Sequence, residues 1–207
     1  MIHKYYEGTP QIINLSTEIG RLLGVVDATH LRKPQTELRK KNKIKTIRAS
    51  LGIEGNTLSE DQITAIMDNK RVIGPSKDIK EVENAIQAYD NLSNFDALSK
   101  ESYLEADGNG RMGRLWQTVI LMKANPVFEY LPIEQEIKKS QEEYYNVLSQ
   151  CDKEGLSTKF VEYLLGKIKL SLAELVDTQR EHFSLRGRRS PHWRGGGLRQ
   201  PDHRTGL

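Results

Sequence analysis

Apolar residues recur along this chain at three- and four-residue steps, and each run starts on a recognisable signal. Thr9 caps and Pro10 opens a first helix with Ile13, Leu15, Ile19, Leu22 and Leu23 on one side. A second spans Pro34 to about Leu51, strongly basic between Arg39 and Lys45, with Leu38, Ile44, Ile47 and Leu51 facing inward. Ser59-Glu60-Asp61-Gln62 is a capping box that predicts a short third helix bearing Ile63, Ile66 and Met67. After a linker at Val72-Ile73-Gly74-Pro75, Ser76 is expected to cap a fourth helix carrying Ile79, Val82, Ile86, Tyr89 and Leu92. Arg111 to Lys123 is apolar on nearly every side (Leu115, Trp116, Val119, Ile120, Leu121, Met122), which predicts a centrally buried helix. Val127 to Leu131 is too short to assign. Pro132 opens a helix to about Gln150, and Ser157-Thr158 opens the last, through Phe160, Leu164, Leu165, Ile168, Leu172 and Leu175. No strand pattern competes, so the chain reads as all-α.

Composition narrows the class. The 207 residues are enough for a real core, with N-terminal helices over 1–70, a further helical core over 71–185 and a tail over 186–207. The net charge of +3 is misleading, because the tail alone holds six arginines, no lysine and one aspartate. Without it, 25 basic residues face 27 acidic ones, so the body shows no nucleic-acid signature. The body uses 17 lysines and 8 arginines, whereas the tail uses arginine only, broken by Gly195-Gly196-Gly197 and two prolines. Such a segment reads as a disordered extension or, alternatively, as a basic arm. Cys151 is the single cysteine, so no internal disulfide forms, and no run of 18 or more apolar residues predicts a membrane span. The expectation is a cytoplasmic protein.

The chemistry concentrates in Ala106-Asp107-Gly108-Asn109-Gly110-Arg111-Met112-Gly113-Arg114. Gly108 and Gly110 let the backbone turn tightly and bring N–H groups close to a ligand, just where a helix begins. Arg111 and Arg114 are three apart, so they project from one face of its first turn, and each can fork onto phosphate oxygens. Asp107 adds a carboxylate suited to a Mg²⁺ shared with substrate phosphates. The same residues, read alone, also fit an ordinary turn followed by a capped helix with two surface arginines. An EF-hand is a poor alternative, because Arg111 occupies a ligand position and Thr118 stands where the closing Glu belongs, and a Walker loop is ruled out by the missing Gly-Lys-Ser/Thr.

Asp107 to Arg114 resembles the second half of the Fic-family signature, His-Pro-Phe-x-Asp/Glu-Gly-Asn-Gly-Arg-x-x-Arg. Upstream, Ser50-Leu51-Gly52-Ile53-Glu54-Gly55 resembles that family's inhibitory motif, Ser/Thr-x-x-x-Glu-Gly/Asn. The similarity spans roughly Ile12 to Leu175. It implies a Fic-like helical bundle that transfers AMP from ATP to a hydroxyl side chain of a target protein. By that resemblance Asp107 would hold Mg²⁺, while Gly108, Asn109 and Gly110 would cradle the α- and β-phosphates. Arg111 would neutralise the bridging phosphates and Arg114 would reach the γ-phosphate. Glu54, with Ser50 in the same motif, would compete for Arg114 and block productive ATP placement. ATP, an unidentified target protein and, as an open matter, further copies of the chain are the partners implied; membrane and nucleic acid are not.

The sequence departs from the family at its centre. Tyr103 occupies the position of the motif histidine, and the histidines present are His3, His30, His182, His192 and His203. A tyrosine with a pKa of about 10 is protonated at neutral pH, and Glu105, at about 4.3, is a weak base for a hydroxyl. General-base catalysis is worth about 10²–10⁴-fold, so its loss implies an inactive or strongly impaired enzyme. Ala106 also runs directly into Asp107, where the family has further helix, a target-docking flap hairpin and the helix ending in the motif. This spacing reads as an internal deletion and an incomplete bundle. The alternatives are a nucleotide-binding remnant and a helical interaction protein, both without catalysis.

Overall fold

The computed structural model describes residues 5–29, 36–95 and 110–187. Among these it forms eight α-helices and no strand: α1 (Pro10–Ala28), α2 (Thr36–Ile53), α3 (Glu60–Met67), α4 (Ser76–Asp90), α5 (Gly110–Ala124), α6 (Ile133–Lys139), α7 (Gln141–Glu154) and α8 (Thr158–Gly187). Short 3₁₀ turns follow α4 at Leu92–Asn94 and α5 at Pro126–Tyr130.

The local signals place most helix starts. The Thr9 hydroxyl accepts from the Ile12 N–H with Pro10 in the first turn, and the capping box of Ser59 and Gln62 is reciprocal. Two expectations need correcting. Pro75, not Ser76, occupies the N-cap of α4, and Ser76 is its first helical residue with no side-chain cap. The segment after Pro132 is two helices rather than one. Ser140 leaves helical geometry (φ −125°, ψ 41°) and its hydroxyl bonds to the Glu136 carbonyl at 3.1 Å and to the Tyr163 hydroxyl at 3.0 Å. That corner turns α7 toward α8, which a straight rod could not do.

Three apolar clusters organise the bundle, the smallest being Leu92, Leu115 and Val119 between the end of α4 and α5. In the largest, Ile19, Leu22 and Val26 of α1 lie along α8 against Leu172, Leu175 and Val176, with Val127, Phe128, Ile133 and Ile137 filling the centre. In the second, Ile44, Ile47 and Leu51 of α2 meet Ile63 of α3 and Val82 of α4. The basic helix α2 is the central one, packed against α3, α4, α5 and α6. Its cations run outward into pairs: Lys40 with Asp68, Lys43 with Asp90, Lys45 with Glu174, and Arg39 over the Tyr130 ring. A helix can be polar in sequence and central in space when long stems cover apolar neighbours and heads reach acids at the rim. By contrast, the expectation that α5 is buried all round is only partly met. Leu115, Trp116 and Val119 are buried, but Ile120 is exposed.

Candidate functional site

Ser50, in the last turn of α2, and Glu54, just past its end, are four residues apart and lie on one side. Gly55 follows at φ +90°, a left-handed conformation that favours glycine, and the Asn56 N–H folds back to the Leu51 carbonyl at 3.1 Å. This closure fixes the direction in which Glu54 leaves the helix. The same turn is held from behind, because Lys138 Nζ donates to the Gly52 carbonyl at 2.6 Å and Gln141 Nε2 to the Ile53 carbonyl at 3.2 Å.

Arg114, one turn into α5, reaches this helix end. Its Nε donates to Ser50 Oγ at 3.2 Å, and its Nη2 donates to the Ser50 carbonyl at 2.9 Å and to Glu54 Oε1 at 3.1 Å. The Arg114 side chain is 1% exposed, while that of Glu54 is 30% exposed. The cation is thus enclosed and its carboxylate partner stands at the edge. The third nitrogen, Nη1, is buried without a partner. A buried guanidinium N–H with no acceptor is costly, and it suits an additional anionic oxygen.

Arg111 points to a different acid. Its Nη1 lies 2.9 Å from Glu81 Oε1 on α4, and Asn56 Nδ2 donates to Glu81 Oε2 at 3.0 Å and to the Asp78 carbonyl at 3.1 Å. Burial works to raise the Glu81 pKa, but hydrogen bonds from Asn56 and Arg111 and the charges of Arg111 and Lys77 outweigh it. The carboxyl therefore lies below its ordinary value. Thr57 ties the same segment to α4 by donating its hydroxyl and its N–H to the Asp78 carboxylate, and those two bonds hold the Asp78 pKa down. Beside Ser50 and Arg111, a cavity of about 190 Å³ is lined by Ile47, Ala85, Tyr89 and Leu115. Ordinary ligand pockets start at about 300 Å³, so this cavity by itself is too small for a whole nucleotide.

A second carboxylate is held by Tyr89, which lines this cavity. Glu134, in the first turn of α6, is 2% exposed, accepts from the Tyr89 hydroxyl at 3.1 Å through Oε1, and leaves Oε2 without a partner. Burial raises its pKa to about 7, against the lowering pull of its own backbone N–H, the Tyr89 hydroxyl, the Arg114 charge and the Thr118 hydroxyl. The Thr118 proton cannot serve two acceptors at once; directed to the Arg114 carbonyl at 3.5 Å, a long bond, it leaves Glu134 Oε2 bare. Burial and the Glu134 charge in turn push the Tyr89 hydroxyl well above its ordinary pKa, keeping it a donor.

The structure therefore brings Ser50, Glu54 and Arg114 together and gives Arg111 a separate partner. Gly110 is the first residue of α5. Asp107, Gly108, Asn109, Tyr103 and Glu105 lie outside the described residues, as does the tail beyond Gly187. Glu81, Asn56 and Glu134 were not expected from sequence. Glu134 follows Pro132 in a first helical turn, where an acid ordinarily complements the helix dipole in solvent. Nothing local marks it as buried.

No family model and no curated protein sequence matches the chain. Among solved structures, it is similar to the crystal structure of a Fic family protein from Desulfovibrio desulfuricans G20, with a TM-score of 0.76 and 31% sequence identity. The match covers 86% of this chain and 77% of that one.

Proposed function

This chain belongs to the Fic family, and from that premise we propose a nucleotide site centred on Arg114 and held shut by Glu54. The reaction it descends from is transfer of AMP from ATP to a hydroxyl side chain of a target protein. With Tyr103 in place of the motif histidine and no segment for a flap, that transfer is lost or strongly reduced.

The observation that carries this reading is the Arg114 guanidinium. It is enclosed, bonded to both inhibitory-motif residues, and left with one nitrogen, Nη1, whose N–H groups have no acceptor. A phosphate oxygen fits that group. Guanidinium binds carboxylate and phosphate with the same fork, so an anionic ligand competes directly with Glu54. Arg111 would turn from Glu81 to the same ligand, and Ser50 would keep the Arg114 side chain oriented while the acid changes. Asp107 is the residue that would hold Mg²⁺, which when bound supplies neutralisation of the phosphates.

Thermal unfolding with and without ATP·Mg²⁺ tests this. A ligand at a hundred times its Kd stabilises by about 2.7 kcal/mol. Glu54→Ala should melt several degrees higher with ATP·Mg²⁺, the wild type should shift less, and Glu54→Ala/Arg114→Lys should not shift. Labelled ATP with a lysate should give transfer near background. A folded Glu54→Ala that ignores ATP at millimolar concentration removes the proposal.

A further inference from the structure

The cations of α2 fall into two groups. Arg39, Lys40 and Lys43 line a cavity shared with Asp90 and Glu129, and the two lysines pair with Asp68 and Asp90, so that charge is matched. Lys45 and Arg48 open onto a different cavity of about 420 Å³, completed by Lys138 and Lys139 from the end of α6. The one carboxylate that lines it belongs to Glu60, at the start of α3.

Neighbouring acids do not cancel this charge. Lys45 meets Glu174 at 3.6 Å, a loose pair, and Lys139 meets Glu136 at 2.5 Å while staying largely exposed. Lys138 bonds only to neutral groups, the Gly52 carbonyl at 2.6 Å and Gln141 Oε1 at 2.7 Å. An ammonium has three N–H groups, so one remains for a ligand. Arg48 is exposed and pairs with no acid among the described residues. Arg48 and Lys138 are therefore uncompensated cations, brought to one concave site by the packing of α2 on α6.

We propose that this cavity binds a phosphomonoester. The Arg48 guanidinium can fork onto two phosphate oxygens, and the Lys138 and Lys139 ammonium groups add point charges to the same dianion. The cavity volume falls within the range of small-molecule sites and exceeds what a bare phosphate fills, so the ligand carries an organic part, which Ala49 and Leu58 are placed to meet. The site is separate from the Arg114 junction. At about 100° per residue, Lys45, Arg48 and Gly52 lie within about 60° of one another, on the side of α2 away from Ser50. It therefore does not rest on the nucleotide reading, although Lys138 joins it to the turn that carries Glu54.

Calorimetry on the full chain tests this with ribose 5-phosphate, ribose and inorganic phosphate, each without Mg²⁺ and at low salt. Ribose 5-phosphate should bind the wild type at millimolar concentration or below, inorganic phosphate more weakly, and ribose not at all. Arg48 and Lys139 are exposed, so Arg48→Glu and Lys139→Gln should keep the fold, which circular dichroism checks. Arg48→Glu should weaken binding at least about tenfold, the worth of one charge-assisted hydrogen bond, and Lys139→Gln by less. Arg114→Lys should bind like the wild type. No binding of ribose 5-phosphate, or equal binding in Arg48→Glu, overturns the site. Inorganic phosphate binding as tightly as the ester overturns the assignment to an ester. Binding lost in Arg114→Lys and kept in Arg48→Glu puts the anion at Arg114, which overturns this site and leaves the nucleotide reading standing.

Discussion

Glu54→Ala removes one hydrogen bond from a guanidinium that is almost fully enclosed, and its effect can be sized from the contacts. Arg114 keeps its two bonds to Ser50, at 3.2 and 2.9 Å, and loses the one to Glu54 Oε1 at 3.1 Å. Breaking a fully buried ion pair costs about 3–5 kcal/mol, because the surviving charge is stranded. Here the departing acid is 30% exposed, so water can enter its place and supply an acceptor. A charge-assisted hydrogen bond is worth about 1.5–3 kcal/mol, and discounting for solvent access puts the loss at about 1–2 kcal/mol. For a chain of this size each kcal/mol moves Tm by about 2–4 °C, so we expect a fall of about 2–8 °C by calorimetry without ligand. Glu54→Gln, which keeps an acceptor and drops the charge, should fall less. Arg114→Ala should fall more, by about 3–5 kcal/mol, because a cavity adds to the lost bonds. A Glu54→Ala protein that melts with the wild type would refute the reasoning, since Arg114 would then not depend on this acid in solution.

Other expectations concern the same junction and its supports. The Glu134 carboxyl, raised from 4.5 to about 7, contributes stability that is present below about pH 4.5 and lost as pH rises through 7. The difference in unfolding free energy between Glu134→Gln and wild type should therefore grow in favour of the variant over that window. A flat difference between pH 4 and 8 in urea titrations contradicts the assignment. Gly55→Ala forces a side chain into φ +90° and should cost about 1–2 kcal/mol. It should also speed amide exchange at Glu54 and Asn56, and unchanged exchange there would mean the turn is not strained. Leu172→Ala empties a fully buried position between α1 and α8 and should cost about 2–5 kcal/mol in one cooperative transition. A loss under about 1 kcal/mol would show that the largest cluster is loosely packed.

Sequence alone settled what depends on near neighbours. Thr9 and Pro10, or Ser59 and Gln62, act within one helical turn, so their helix starts follow from residue types a few positions apart. The all-α class follows from the same short-range periodicity, and the two motifs were legible because each is a contiguous string. The break at Ser140 was not, since a tyrosine 23 residues away helps to hold it. Nor was the central place of α2, whose lysines read as a solvated face until acids from α4 and α8 and the residue after α3 are set opposite them. The acids at the site divide along the same line. Glu54 could be named from its motif, but Glu81 becomes the partner of Arg111, and Glu134 the partner of Tyr89, only through contacts between distant parts of the chain. Whether a carboxylate is a surface charge or a buried one is decided by what covers it, and that covering comes from parts of the chain that no local pattern connects.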